Sequence, residues 1–160
     1  MYIAYQNETP VFFAETMGEI GRVKFIKFDR IEECDFAEMY DGKIYVSKEE
    51  LDNIKKTDLM KTYENAVQEY LDKKAQERGY DNTYTCLSYL FSTDETWRTE
   101  SNSFNEWRDK VWKKCHEILG FVISGQREIP TIEELISQLP EIDWNSGKKT
   151  NEEDKENNQI

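Results

Sequence analysis

Three cysteines and one histidine are the side chains with the most to offer a reaction in this 160-residue chain. Cys34, Cys86 and Cys115 lie tens of residues apart, and no pair has the close spacing of a zinc knuckle or a redox motif. Cys115 is followed at once by His116, a thiol beside a base. Neighbours on a helix point about 100° apart, so the two make a poor nucleophile and base. His116 is therefore expected at the surface of a long helix, and Cys86 and Cys115 as small buried hydrophobes. With a single His, a His-rich metal site is excluded. There is no Gly-rich phosphate loop, no Gly-x-Ser-x-Gly and no His-Glu-x-x-His. Glu32-Glu33, Glu49-Glu50 and Glu133-Glu134 have the form of acid–base or Mg²⁺-binding pairs, but 33 acidic residues make such pairs common. Solvent faces and helix N-termini account for them. No catalytic set, cofactor or metal is expected.

The elements that would carry any site fall into two kinds. Aromatics reach 13% of the chain, too many for a disordered one. The N-terminal third reads as strands: Tyr2 to Tyr5 and Val11 to Phe13 are β-formers around a turn-rich break at Asn7 to Pro10. Arg22 to Phe28, with Val23, Phe25 and Phe28 alternating against Lys24 and Lys27, predicts a half-buried strand. Asp41-Gly42 between Tyr40 and Lys43 predicts a tight hairpin. A few short strands need a cover, either a helix or a second copy.

Beyond residue 46 the pattern becomes helical. Ser47 and Glu50 have capping-box spacing and predict a short helix to about Lys55. Thr57 or Asp58 then opens a long helix to Arg78, stopped by Gly79. Its apolar stripe runs through Leu59, Met60, Tyr63, Ala66, Val67, Tyr70 and Leu71. Thr83 to Phe91 predicts a short helix, and Ser92 to Glu95 caps another bearing Trp97. The strongest signal runs from Ser103 to Ser124. There Phe104, Trp107, Val111, Cys115, Ile118, Leu119 and Val122 recur at helical spacing, Trp112 widens the face, and Gly125 ends it. Thr131 and Glu134 form a second capping box for a terminal helix that stops before Pro140, with Trp144 expected to tuck back.

The fold class expected is α+β: a small N-terminal antiparallel β unit followed by a mainly helical C-terminal bundle. The divisions are a β-rich unit at 1–46, a short helix and long connecting helix at 47–78, a helical module at 79–144, and a polar tail at 145–160. The tail has no apolar residue until Ile160 and is expected to be disordered.

Several of these residues also form an ordered set of motifs. Ala75-Gln76-Glu77-Arg78-Gly79-Tyr80-Asp81 is followed by Ser88-Tyr89. Trp107-Arg108-Asp109-Lys110-Val111-Trp112 comes next with Cys115, and Ile129-Pro130-Thr131-Ile132-Glu133-Glu134-Leu135 leads to Leu139-Pro140. The succession, over about 65–144, resembles a C-terminal helical module of small proteins of tailed bacteriophages and prophages. The resemblance does not reach the first 56 residues. It implies association with the distal tail, as a tail-fibre component, an attachment or baseplate accessory, or a fibre-assembly chaperone, and it brings no catalytic residues.

Within the motifs Gly79 is expected as a helix cap in left-handed conformation. Trp107, Val111, Trp112, Cys115, Ile118 and Leu119 are expected as core. Arg78, Tyr80 and Asp109 are expected to form a polar latch. Tyr63, Tyr70, Tyr80 and Trp97 are the candidate interface residues. The expected partners are other phage tail or fibre proteins, met in the virion tail or in the host cytoplasm during assembly. A homo-oligomer, trimer or dimer, would use the Leu59–Leu71 stripe.

Charge bears on the alternatives. The net charge of −12 repels phosphate backbones and anionic lipid, so neither direct nucleic-acid binding nor membrane-surface binding is expected. No apolar run approaches the roughly 18 residues needed to span a bilayer. The same acidity supports a second class of function, an inhibitor that imitates nucleic acid and blocks a host defence protein.

Overall fold

The computed structural model describes residues 1–23 and 26–146. Its architecture is α+β, with small antiparallel sheets in the N-terminal region and long helices after them. The chain divides into two compact units, Met1–Lys61 and Thr62–Ile160.

In the N-terminal unit β1 (Tyr2–Gln6) pairs antiparallel with β2 (Thr9–Ala14) through the two-residue turn Asn7-Glu8. Both turn residues have positive φ, 50° and 60°, the twist a tight hairpin demands. The register slips after Ala4, where Tyr5 faces Pro10, which has no N–H to offer the ladder. The other edge of β1 is taken by β3 (Arg30–Glu33), giving the order β2-β1-β3. Of the strand expected over Arg22–Phe28, the described residues, 22–23 and 26–28, are not in a strand. Thr16 and Glu19 make a capping box for a short helix, α1 (Met17–Ile20), which ends in a turn at Gly21, and residues 26–28 are irregular. With β2 on one side and β3 on the other, β1 has no free edge left for it. Lys24 and Phe25 lie outside the described residues.

β3 is fully exposed and holds its place through charge as well as the ladder. Arg30 pairs with Glu8 at 3.1 Å and Glu32 at 2.9 Å and lies 4.3 Å over the Tyr5 ring. The second hairpin, β4 (Glu38–Tyr40) and β5 (Lys43–Tyr45), turns at Asp41-Gly42 with φ of 46° and 72°. Lys55 grips Glu38 at 2.6 Å, and the Tyr40 hydroxyl donates to Asp58 at 3.1 Å. Among the described residues, Ile3, Ala4, Ile20, Ala37 and Leu51 are the buried apolar ones of this unit.

The two helices expected between 48 and 78 are one, α2 (Lys48–Glu77), about 45 Å long at 1.5 Å per residue. Nothing at 55–58 breaks it: there is no Gly or Pro, and the Thr57 hydroxyl donates back to the Asn53 carbonyl at 2.9 Å instead of capping a new start. At its end Gly79, at φ 99°, completes a Schellman pair. Its N–H meets the Gln76 carbonyl and that of Tyr80 meets the Ala75 carbonyl.

α3 (Thr83–Ser88) runs into a 3₁₀ turn at Tyr89–Phe91. The separate short helix at Trp97 is absent, because α4 is continuous over Glu95–Ile123, capped by Asp94. Ser101 and Ser103 are buried within it, and Ser103 satisfies its hydroxyl on the Thr99 carbonyl at 2.9 Å. α5 (Ile132–Ser137) carries the Thr131/Glu134 capping box.

The core of the C-terminal unit joins Val67, Leu71 and Ala75 of α2, Cys86 of α3, Phe104, Trp107, Val111 and Ile118 of α4, and Leu135 and Leu139. Trp112 and Cys115 are only half-buried against it, and Leu119 is half-buried outside it. The helical stripe is about one row of fully covered positions wide, and these three stand at its margin. Trp144 stacks on Phe104 at 5.8 Å, and its carbonyl lies 2.9 Å from the Ser103 hydroxyl, as a second acceptor that shares this one donor with Thr99. The Trp107 indole donates to the Pro140 carbonyl at 2.6 Å. Of the polar tail, residues 147–160 lie outside the described residues.

Candidate functional site

The four candidate interface residues separate into two pairs. Tyr63 and Tyr70 pack against the core of the C-terminal unit, Tyr63 donating to the Pro130 carbonyl and Tyr70 lying 5.7 Å from Trp107. Val67 and Leu71 of the same stripe are fully buried against other residues of this chain. Tyr80 and Trp97 instead flank a cleft.

That cleft is built by helix ends. The left-handed turn at Gly79 sets Arg78 and Tyr80 on either side of it, and both reach Glu100 on α4. Arg78 Nε donates to Glu100 Oε1 at 2.9 Å, and the Tyr80 hydroxyl donates to Oε2 at 2.8 Å. The expected latch therefore exists with a different acid. Among the described residues Asp109 pairs only locally, with Arg108 at 3.1 Å. Glu100 was legible in one respect: Trp97, Glu100, Phe104, Trp107 and Val111 follow steps of three and four, so a carboxylate stands in the buried row of α4. Its side chain is only 12% exposed. A charge at such a position needs a partner.

Tyr89, at the start of the 3₁₀ turn, fills the middle of the aromatic wall. Its ring lies 5.7 Å from Tyr80 and 5.3 Å from Trp97, tilted by 55° and 59°. Asp94 fixes the neighbouring end of α4, accepting from the Thr96 and Trp97 amides, while Arg98 holds the Ser92 carbonyl at 2.8 Å. The space enclosed by Arg78, Tyr80, Asp81, Tyr89, Trp97 and Glu100 is about 300 Å³. Trp97 is 50% exposed, and close in sequence Tyr84 is 77% and Phe91 95% exposed.

Two protonated groups here are held in their neutral forms. Burial, and then the hydrogen bond to Glu100, raise the Tyr80 phenol well above its ordinary range. Burial, with a contribution from the Glu100 charge, pushes the Cys86 thiol up to about 12, so it is held as the thiol and not the nucleophilic thiolate. The Cys115 thiol is also raised by burial, and His116 beside it is exposed. Among the described residues no group of three or more His, Cys, Asp or Glu converges as a metal site, and no helix is long and apolar enough to cross a membrane. What the cleft offers is aromatic surface on a braced frame, suited to recognition by stacking and packing. Comparison of the chain with family models, with curated proteins and with solved structures finds no match.

Proposed function

We propose that this chain is a phage tail-associated protein that acts through protein–protein contacts, as a tail-fibre or baseplate accessory or as an assembly chaperone for such parts. One observation carries the reading. The residues behind the resemblance serve as braces of one unit: Arg78 and Tyr80 on Glu100, Trp107 on Pro140, and Thr131 with Glu134. Large aromatics at Tyr84, Phe91 and Trp97 are left on the surface, where contact residues of an interface belong. Such a module works by presenting a rigid surface, in the virion tail or in the host cytoplasm during assembly. It needs no cofactor.

The acidic inhibitor is the weaker reading. Several acids of the C-terminal unit are already engaged: Glu100 by Arg78 and Tyr80, Asp72 by the Thr83 amide at 2.8 Å, and Asp94 and Glu134 as helix caps. They are less available to occupy a phosphate-binding groove. Affinity capture from a phage lysate with the tagged full chain decides between the two. Recovery of tail or fibre proteins is expected. Recovery of host nucleic-acid-binding proteins without any tail protein would overturn the first reading in favour of the second.

A further inference from the structure

The charge inside the cleft is unbalanced. Arg78 is occupied by Glu100, and both oxygens of that carboxylate are taken. Asp81 also lines the space, and its carboxylate has no ion pair or hydrogen bond among the described residues. At the start of α4, Asp94 caps the helix and Glu95 is offset in sign by Arg98, so Asp81 is the carboxylate that the cleft lining leaves unpaired among the described residues, in a chain of net charge −12. Around this negative site stand the rings of Tyr80, Tyr89 and Trp97, tilted to one another rather than stacked flat. An aromatic face carries negative quadrupole density and attracts a cation within about 6 Å of its centre. An anion would meet both that density and Asp81. A purely apolar group would cover the exposed Asp81 carboxylate without pairing it.

We propose that this cleft receives a cationic side chain, the guanidinium or ammonium of an Arg or Lys on an exposed segment of a partner protein. The cation seats against Trp97 and Tyr89, and Asp81 supplies the countercharge. The open cleft of about 300 Å³ accommodates one long side chain rather than a helix. The proposal rests on the reading of this unit as a protein-binding module and adds the chemistry of what it binds.

The test is a titration of the ¹⁵N-labelled full chain with N-acetylarginine amide, and separately with N-acetylnorleucine amide and N-acetylglutamate amide. The reporter is the Trp97 indole N–H signal, identified by its loss in W97F. A saturable shift is expected with the arginine probe, about tenfold weaker with norleucine and absent with glutamate. Asp81→Asn, an exposed change that leaves the fold intact, should weaken the arginine response about threefold. Equal response to norleucine would make this a plain apolar groove and overturn the proposal, as would no saturable response at all. Co-sedimentation with tail particles separates this failure from that of the wider reading. A chain that co-sediments but ignores the arginine probe loses the cation site alone. One that binds the probe but never meets a tail particle loses the tail association alone.

Discussion

The Tyr80 hydroxyl donates to Oε2 of Glu100 across 2.8 Å, joining the turn after α2 to the buried row of α4. Arg78 holds the other oxygen, so one carboxylate is shared by two residues on either side of Gly79. Removing that carboxylate strands both donors. Glu100→Ala is expected to lower unfolding stability by about 2–3 kcal/mol, and Tyr80→Phe by about 1 kcal/mol. Urea denaturation followed by tryptophan fluorescence measures both. Equal stability of Glu100→Ala and the parent would show that the latch contributes nothing.

The same contact sets an alkaline limit. The folded-state pKa of Tyr80 lies above its ordinary value of 10.0, because burial and then Glu100 oppose ionisation. A raised folded pKa contributes stability that is fully present below the unfolded value and is lost as pH rises through the folded one. The parent should therefore lose stability above about pH 10 more steeply than Tyr80→Phe, which has no phenol to ionise. Parallel slopes for the two proteins would count against this.

Gly79 sits at φ 99°, and a Cβ there would meet nothing within 4 Å. The cost of Gly79→Ala is then backbone strain alone, about 1 kcal/mol, with Gly79→Asn costing less. Calorimetric melting of the three proteins tests the order. A drop several times larger would mean that the cap also governs the docking of Tyr80.

Thiol labelling gives a map of exposure. Cys86 is fully buried with its thiol pushed up to about 12, whereas Cys34 is only half-buried. With a disulfide reagent at about pH 8, Cys34 should react first and Cys86 only at the rate of unfolding. Fast labelling of Cys86 would reveal local opening around α3.

The Trp107 indole and the Pro140 carbonyl, 2.6 Å apart, tie the segment after α5 to α4. Trp107→Phe should cost about 2 kcal/mol, from the lost hydrogen bond and the space left in the core. Amide exchange should show Trp144 and its neighbours loosening before α4 does. Unchanged protection there would leave the stacking of Trp144 on Phe104 as the sufficient tie.

What could be read from the residues was what neighbours in sequence decide among themselves. Asp41-Gly42 turns the hairpin because those two residues reach positive φ at little cost. Thr131 and Glu134 cap α5 through bonds spanning three residues, and Gly79 closes α2 in the same local way. The apolar rhythm of α4 marked Phe104, Trp107, Val111 and Ile118 for burial, and they are buried. Tyr80 and Trp97 could be named as candidates, but nothing local said that Tyr89 stands between them.

The remainder depended on partners far along the chain. Thr57 has the chemistry of a cap, yet its hydroxyl turns back to Asn53 and the helix runs on, since ending it would forfeit backbone bonds on both sides. Arg30–Glu33 is poor strand material that pairs because β1 offered an open edge, and no local pattern marked it for that edge. Asp109 and Glu100 both offer a carboxylate, and only the packing of α4 against the end of α2 decides which one meets Arg78 and Tyr80. A capping residue or a turn is selected by energies within about one helical turn. A buried carboxylate is selected by whichever donors the tertiary fold brings to it, and no spacing in the sequence encodes that distance.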